Sequence, residues 1–310
     1  MTILVSGASG FIGGAVVRHL EAQGKPLRLL VRRPPSGALA ALDWRTLPRF
    51  DASENEFRHA LDGASAVIHC AALNNDETAG AEAFFQVNGE LTGRLAEAAA
   101  RLPGCRFVFL SSLRAAADAE WSGRFTAEMT PSPTSLYGRS KLAGEKAVSA
   151  AFGQTGCGAS LRLPSVYGPG MGGMLGRMAR LADSPWLLPL KGMAGHRPLV
   201  GLDSVTAALD ALMAAPRLEP VYLAADRAPS SFAAIIAALR QGFGRRSNLL
   251  PAPWAIVSAL RPDAAIFARQ SCDLASLEAL GWRAEEDSAR GLTETARRMS
   301  PASAASRGHG

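Results

Sequence analysis

The sequence predicts an α/β fold built on a doubly wound parallel sheet, and three observations carry this prediction. Short apolar runs alternate with segments of helical spacing over the first two-thirds of the 310 residues, as in parallel strands joined by crossover helices. The runs are uniformly apolar, which is typical of strands buried on both faces. The first run also leads directly into a glycine-rich turn. Strands are predicted at residues 3–5, 27–31, 66–70, 106–110 and 159–163, and helices at residues 11–23, 56–61, 81–101 and 135–152.

Composition excludes several classes of protein. The formal net charge is +6, but the basic residues are dispersed and lack interleaved aromatics, so no nucleic-acid partner is predicted. No apolar run reaches the roughly 18 residues of a membrane span, and the first residues do not resemble a secretory signal. The four cysteines form no C-x-x-C pair, so we expect reduced thiols, no metal site and a cytoplasmic location.

A glycine-rich turn follows the first predicted strand. Residues 7–13 read G-x-x-G-x-x-G, with Gly7 at the sharp turn, Gly10 where the backbone approaches a pyrophosphate, and Gly13 where helix and strand pack closely. The helix then begins at Phe11 and Ile12, whose backbone N–H groups point toward the phosphates. The turn therefore predicts a dinucleotide site in a Rossmann-type domain.

The second predicted strand bears on the identity of the dinucleotide. NAD sites usually carry an acidic residue about 20 residues after the glycines, where it binds the ribose 2′-hydroxyl. This chain has Arg32 and Arg33 there, and guanidinium groups suit a 2′-phosphate. NADP is therefore favoured over NAD, although NAD stays open if both arginines are merely solvated.

The pattern loosens after residue 163, where glycines and prolines become frequent. A further strand at residues 220–225 is expected to rejoin the sheet, and helices are predicted at residues 232–242, 254–260, 274–280 and 289–299. The predicted organisation is a Rossmann-type domain of residues 1–165, to which 199–225 return. Residues 166–198 and 226–299 would form a smaller, loop-rich substrate domain, and residues 300–310 a disordered tail.

A candidate reacting centre combines a tyrosine, a lysine and a serine. Tyr137 and Lys141 are four residues apart and share one face of a predicted helix. A phenol has a pKa near 10 and exchanges protons poorly at neutral pH, unless a neighbouring cation stabilises its anion. Ser112 follows a buried strand at the carboxyl edge of the sheet, where ligands bind, with Ser111 as second choice. The set predicts an enzyme whose Tyr137 trades a proton with a reacting oxygen.

Several motifs occur together in a fixed order. They are Gly7-x-x-Gly10-x-x-Gly13, Ile68-His69-Cys70-Ala71-Ala72, Val87-Asn88, Leu110-Ser111-Ser112, Tyr137-x-x-x-Lys141 and the run from Leu161 to Gly170. As a set they resemble the extended short-chain dehydrogenase/reductase family, which includes NAD(P)-dependent nucleotide-sugar epimerases, dehydratases and 4-keto reductases. The resemblance spans roughly residues 2–299, and residues 125–142 are similar to bacterial epimerases and reductases of surface-polysaccharide sugar synthesis.

The resemblance implies a role for each matching residue at the reacting centre. Tyr137 would be the acid/base, and Lys141 its modulator and a ligand of the cofactor ribose. Ser112 would orient the reacting oxygen, with Ser111 beside it at the substrate. Asn88 would support the site through backbone or water contacts.

Further residues are assigned to the two ligands in the same way. Asp51 resembles the acidic residue that contacts adenine, and Ala71 and Pro164 lie in motifs that line the cofactor. Arg197, which precedes Asp203, resembles an arginine that meets the substrate diphosphate.

Departures from the family pattern argue against some of the family's reactions. Leu113 and Arg114 stand where the dehydratases have an acidic pair, which argues against dehydration. The asparagine that many members carry near Met174 is missing, and Ser204 replaces a second acid.

The leading hypothesis is an enzyme similar to nucleotide-sugar 4-epimerases that transfers hydride at a hexose carbon. The alternatives are a NADPH-dependent 4-keto reductase of a nucleotide-sugar or another small carbonyl, and a non-catalytic dinucleotide-binding module. Helices 81–101 and 135–152 would pair in a homodimer.

Overall fold

The computed structural model describes residues 2–74, 80–153, 155–191, 195–246, 249–251, 265 and 267–300. The strands are β1 (Thr2–Ser6), β2 (Leu27–Val31), β3 (Trp44–Thr46), β4 (Ala64–His69), β5 (Arg106–Ser112), β6 (Gly123–Phe125), β7 (Gly158–Leu163), β8 (Ser165–Tyr167), β9 (Leu188–Lys191), β10 (His196–Arg197), β11 (Leu199–Gly201), β12 (Val221–Leu223), β13 (Ser230–Ser231), β14 (Leu249–Pro251) and β15 (Gln270–Cys272). The helices are α1 (Phe11–Ala22), α2 (Glu54–Leu61), α3 (Ala81–Phe85), α4 (Leu91–Ala100), α5 (Leu136–Phe152), α6 (Gly173–Asp183), α7 (Leu202–Ala214) and α8 (Phe232–Gly242), followed by a short helix (Ala275–Glu278) and a C-terminal helix (Ala289–Met299).

A seven-stranded parallel sheet in the order β12-β7-β5-β4-β1-β2-β3 forms the centre of the fold. The chain winds outward in one direction from β1 through β2 to β3 and in the other through β4, β5 and β7. The predicted doubly wound α/β fold is therefore confirmed, and the reversal between β1 and β4 marks the crevice where such sheets bind ligands. The predicted strand 220–225 is also confirmed, since β12 pairs in parallel with β7.

The edge strand β3 was absent from the sequence prediction. It has only three residues, Trp-Arg-Thr, of which the first and last are exposed, so it lacks the apolar run that identified the other strands. β3 is a strand because it pairs with β2, which places Leu29 opposite Trp44. Its three-residue sequence alone does not predict a strand.

Two hydrophobic layers cover the sheet. On β1, the fully buried Leu4 packs with α2, α4 and α5, whereas the next residue, Val5, packs with α1 and α7 on the opposite face. Successive strand residues point to opposite faces, so a strand between two helical layers has no exposed side and reads as a continuous apolar run. Burying each such aliphatic side chain contributes about 1.5–3 kcal/mol.

A third hydrophobic cluster lies in the C-terminal part of the chain. It joins α6, α8 and the C-terminal helix around buried Leu175, Ile236 and Leu292. The predicted helices 232–242 and 289–299 are confirmed, and 274–280 is shortened to Ala275–Glu278. The predicted helix 254–260 and nearly all of the predicted tail lie outside the described residues, and the domain boundaries stay a prediction.

The predicted helix 81–101 contains a π turn. Residues Gln86–Glu90 separate α3 from α4 and place Asn88 and Gly89 in buried positions. Beyond it, α4 packs closely on α5: a Cβ atom on Gly93 would lie 3.1 Å from that of Ala147. Such single-turn π segments within helices frequently occur at functional sites.

A buried carboxyl gives the C-terminal part a pH-dependent stability. Asp226 is 3% exposed, and Ser288 Oγ donates a hydrogen bond of 2.6 Å to its Oδ2. Burial raises the pKa of Asp226 from 3.8 to about 6, although the Ser288 hydrogen bond lowers it. The folded state therefore favours the protonated acid, and the resulting stability is present below pH 4 and lost as the pH rises through about 6.

Replacing Asp226 by Asn should remove this dependence. We expect the free energy of unfolding of the wild type to fall relative to Asp226→Asn across that pH window, by roughly 3 kcal/mol at most. Urea unfolding over a pH series measures the difference, with the exposed Asp62→Asn as the matched control. Parallel pH curves for the wild type and Asp226→Asn would contradict the assignment.

Candidate active site

The glycine-rich turn closes the gap between β1 and β4. Gly7 has φ +71°, and a Cβ atom there would lie 2.6 Å from the backbone nitrogen of Ala71. A Cβ on Gly13 would lie 2.1 Å from the carbonyl oxygen of Gly7. The turn is thus too tight for any side chain at these two positions, and it lies at the switch point of the sheet.

The first turn of α1 presents unpaired donors beside this turn. Gly10 is the N-cap and supplies no side chain that could cap the helix; its own N–H donates to Gly7 O at 2.9 Å. The N–H groups of Phe11, Ile12 and Gly13 precede the first possible intrahelical bonds. Free donors together with the positive end of the helix dipole suit an anionic pyrophosphate, so these residues fit a dinucleotide.

Three charged residues that the sequence assigns to the cofactor lie beyond the ends of β2 and β3. Arg32 and Arg33 follow β2, are exposed, and make no hydrogen bond or ion pair with another described residue. Asp51 is also exposed, and Arg49 Nε lies 3.0 Å from its Oδ1. That hydrogen bond lowers the pKa of Asp51 and keeps it ionised. Pro164, also assigned to the cofactor, lies half-buried between β7 and β8.

Tyr137 and Ser112 meet where β5 ends and α5 begins. Ser135 caps α5 and accepts a hydrogen bond from Gly138 N at 3.2 Å, which places Tyr137 in the first turn. The side chain of Ser112 lies next to its phenol. Burial raises the pKa of Tyr137, whereas the Ser112 hydrogen bond and the charge of Arg114 lower it. The structure thus brings together the acid/base candidate and the serine that the sequence paired with it.

Lys141 lies deeper in the protein than Tyr137. It is 1% exposed, its Nζ donates to Leu110 O at 2.7 Å and lies 4.2 Å from the ring centroid of Phe109. Burial lowers the pKa of Lys141 to about 7, against the opposing effect of Glu145. The charge that lowers the pKa of Tyr137 in the structure is that of Arg114. The role of Lys141 as modulator and ribose ligand stays a prediction.

Asn88 clamps a loop of the cofactor cleft to α5. Its Oδ1 accepts a hydrogen bond from Leu73 N at 2.8 Å, and its Nδ2 donates to Leu73 O at 2.9 Å and to Ser140 Oγ at 3.0 Å. The side chain is fully buried. These contacts hold the segment after β4 against the helix of Tyr137, which is the indirect support that the resemblance implies.

Ser111 points away from its neighbour Ser112, into a buried ion pair. Its Oγ donates to Glu145 Oε1 at 2.5 Å, and Glu145 Oε2 lies 2.7 Å from Arg162 Nη2, with both side chains nearly inaccessible. Removing one partner of such a pair costs about 3–5 kcal/mol. The geometry therefore favours Ser112, rather than Ser111, as the hydroxyl that reaches a substrate.

Arg197 lies on β10 and is 7% exposed. Its guanidinium is 4.8 Å from the ring centroid of Phe232 and donates to Ala265 O. Burial lowers the pKa of Arg197 to about 10, and the charge of Arg114 lowers it further. The charge of Arg114 thus lowers the pKa of both Tyr137 and Arg197. The sequence signal for a residue at this site is its position two residues after Ser112.

The described residues hold no group of three or more metal-binding side chains. Among them, no helix is long and apolar enough to cross a membrane.

Comparison with known proteins identifies the family. The sequence model of the NAD dependent epimerase/dehydratase family matches residues 3–222. The chain belongs to this family. The match includes the glycine-rich turn, Ser112, Tyr137 and Lys141, and it agrees with the resemblance that the motifs indicate and with a nicotinamide dinucleotide as cofactor.

Curated relatives carry several different names. Ceramide reductase of Caulobacter vibrioides is 34% identical over 226 residues, which are 71% of this chain and 63% of that protein. Methionine adenosyltransferase 2 subunit beta of Rattus norvegicus is 30% identical over 54% of this chain and 47% of that protein. The chain thus spans less than two-thirds of both. The dTDP-6-deoxy-L-talose 4-dehydrogenase (NAD(P)(+)) of Kitasatospora kifunensis is 31% identical over 72% of this chain and 69% of that enzyme.

Two of the solved structures with the same fold are UDP-sugar 4-epimerases. UDP-N-acetylglucosamine 4-epimerase from Bacillus cereus aligns with a TM-score of 0.77 and 21% identity, over 96% of this chain and 99% of that one. UDP-glucuronic acid 4-epimerase from Bacillus cereus, in complex with NAD, aligns with a TM-score of 0.75 and 20% identity over 96% and 98%. At this identity the similarity establishes the fold.

The exposed guanidinium groups of Arg32 and Arg33 bear on the choice between NADPH and NADH. If Arg32 and Arg33 bind the 2′-phosphate, the double variant Arg32→Ala/Arg33→Ala should weaken NADPH binding about tenfold or more, because charge-assisted hydrogen bonds are lost. NADH binding should change little. Fluorescence titration with each cofactor measures both constants, with the exposed Arg58→Ala as control. Equal affinities for NADPH and NADH in the wild type would refute the preference for NADP.

Proposed function

We propose that the protein is a NADP(H)-linked oxidoreductase that interconverts a carbonyl and a carbinol on the hexose of a nucleotide-sugar. One observation carries the proposal: the side chains of Tyr137 and Ser112 lie next to each other at the carboxyl edge of the sheet. The glycine turn that fits a dinucleotide lies at the same edge, at the end of β1. A proton donor and a hydride carrier would therefore meet at one substrate carbon.

The cofactor and three residues of the chain have separate roles in the proposed reaction. A bound nicotinamide supplies the hydride that adds to the carbonyl carbon. Tyr137 gives its phenolic proton to the carbonyl oxygen as that oxygen gains the electron pair of the C=O π bond, and Ser112 holds the oxygen by a hydrogen bond. Lys141, whose pKa is about 7, can hold or release a proton on Nζ at neutral pH and so assists return of a proton to Tyr137.

Net reduction is favoured over epimerisation. An epimerase keeps one cofactor through both half-reactions, whereas a reductase exchanges it at every turnover. The unpaired Arg32 and Arg33 suit NADPH, the usual exchangeable reductant, and two relatives above 30% identity are named for net redox reactions. The 4-epimerase neighbours, at 20–21% identity, bear on the fold alone.

A second candidate substrate is an apolar ketone. Trp186 and Leu187 precede β9 and are 71% and 58% exposed. Arg240 holds this loop, since its Nη2 donates to Trp186 O at 2.6 Å. An apolar substrate could contact such a surface, and the name ceramide reductase points the same way. Met171 and Met178 do not add to this argument, because they are buried in the core.

We also propose a homodimer formed through α4 and α5. An open groove runs along the seam of these helices, lined in part by Gly89, Gly93, Ala143 and Ala147. Small residues there permit close approach of the same helices from a second subunit. Size-exclusion chromatography with light scattering gives the mass directly.

Tyr137→Phe should separate catalysis from cofactor binding. Loss of the phenolic proton removes the acid/base step, so we expect turnover to fall by about a hundredfold or more. NADPH affinity should be unchanged, because the glycine turn is intact. Tyr222→Phe is the matched control, since that hydroxyl only accepts a hydrogen bond from Glu219 N. Unchanged turnover in Tyr137→Phe would overturn the assigned role.

A ligand screen, followed by measurement of the NADPH consumed per product, can identify the substrate. UDP-, dTDP- and GDP-sugars and long-chain ketones are tested for a rise in melting temperature, since a ligand specific for the native state stabilises it. We expect a nucleotide-sugar hit and loss of one NADPH per product. Interconversion of epimers without net NADPH loss would instead establish an epimerase. Binding of dinucleotide without turnover of any ligand would favour a non-catalytic module.

A further inference from the structure

We propose that the C-terminal part of the chain docks on an anionic lipid bilayer through an exposed apolar patch and the cations around it. The patch consists of Leu181, Trp186, Leu187 and Leu250. Docking is independent of the proposed reaction, because it needs neither the dinucleotide nor a substrate.

Exposed apolar side chains are concentrated in this region. In the part of the chain that the structure describes, the large apolar side chains that are exposed are Trp44, Leu136, Leu181, Trp186, Leu187 and Leu250. The first two are single residues, on β3 and at the start of α5. The other four belong to the end of α6, the loop before β9, and β14. Single exposed apolar residues are normal on a folded protein, whereas a group of them marks an interaction surface.

Strand pairing and an ion pair bring these three segments together. β14 pairs in parallel with β9, with Leu249 opposite Leu188, so Leu250 lies beside the strand that follows the loop. Arg245 Nη2 lies 3.0 Å from Asp183 Oδ1, which joins the chain before β14 to the last residue of α6. The residues of the patch therefore lie on adjacent segments.

A buried arginine holds the loop that carries Trp186. Arg240, on α8, is 1% exposed, and its Nη2 donates to Ser184 O at 3.2 Å and to Trp186 O at 2.6 Å. Its Nη1 donates to Arg246 O at 3.1 Å. The backbone of the loop is thus tied to the interior, while Trp186 itself is 71% exposed. A loop that is already held in place loses less conformational entropy when it binds a partner.

The cations around the patch outnumber the acids. Exposed basic side chains on α6, at the end of β9 and before β14 are Arg177, Arg180, Lys191, Arg245 and Arg246. Within the described residues of 173–191 and 232–251, Asp183 is the single acid, and it pairs with Arg245. The other four cations make no ion pair with a residue that the structure describes. The region is therefore positively charged and complementary to an anionic surface.

An anionic bilayer matches both features of this region at once. Tryptophan is favoured at a membrane–water interface because its ring is apolar and its N–H is polar. Leucines beside it would enter the boundary between headgroups and acyl chains, and the surrounding arginines and lysine would attract anionic headgroups. A small anion would leave the leucines in water, and an apolar protein partner would leave the cations unused. A protein held on the bilayer would also meet apolar ketones, the second candidate substrate, where they partition.

Cosedimentation of the intact chain with lipid vesicles tests the docking. We expect binding to vesicles of phosphatidylcholine mixed with phosphatidylglycerol, much weaker binding to phosphatidylcholine alone, and release by salt, which screens the charges. Trp186→Ser/Leu187→Ser should weaken binding to the mixed vesicles about tenfold or more, because apolar burial is lost. Arg177→Gln/Arg180→Gln should weaken it about tenfold or more at low salt, since each cation near an anionic surface contributes about fivefold.

Matched variants show whether the effect belongs to the patch. Trp44→Ser removes an exposed tryptophan from the edge of the sheet, and Arg58→Gln/Arg101→Gln removes two exposed cations from α2 and the end of α4. Both should bind the mixed vesicles as the wild type does. All four variants change exposed residues, so each should keep the melting temperature of the wild type.

Several outcomes would overturn the docking. They are no binding to the mixed vesicles, equal binding to both kinds of vesicle, and equal losses in the patch variants and their controls. A wild-type dimer that Trp186→Ser/Leu187→Ser dissociates, as measured by light scattering, would also overturn it, since a second copy would then cover the patch. Turnover of a nucleotide-sugar without vesicle binding would leave the proposed function standing and the docking refuted.

Discussion

The contact between the end of β5 and the first turn of α5 determines the geometry of the site. Ser112 ends the strand, Tyr137 lies in the first turn of the helix, and their side chains lie next to each other. Gly138 allows this approach, because any side chain there would collide with Arg114 O. Hydrogen bonds from Thr134 and Ser135 to Asp118 hold the helix start from outside. A rigid strand and a capped helix thus fix two reacting groups that are distant in sequence.

Strand geometry explains why adjacent serines have different environments. Consecutive strand residues point to opposite faces, so Ser111 turns to the buried pair of Glu145 and Arg162 while Ser112 faces the cleft. That pair ties α5 to β7 beneath the reacting centre. The helix therefore carries Tyr137 in its first turn and the buried carboxylate of Glu145 two turns later.

Much of the fold and part of the site were predictable from the sequence, because the signals are local. The glycine turn, the apolar strands and the Tyr137–Lys141 spacing each lie within a few residues. By contrast, β3 depends on its partner strand, and the engagement of Ser111 depends on Glu145, 34 residues away. Helical spacing likewise does not reveal that the Lys141 ammonium donates a hydrogen bond to the backbone carbonyl of Leu110. Contacts between residues that are distant in sequence determine these features.

The π turn at Gln86–Glu90 separates α3 from α4. The directions in which the side chains of α4 point are therefore offset from those of α3. The additional residue of the π turn rotates everything downstream about the helix axis relative to α3. Asn88 can thereby aim at the cofactor loop while the small residues of α4 remain against α5. Substitutions in α4 can accordingly accumulate during evolution without disturbing the orientation of the Asn88 amide, which holds the segment after β4.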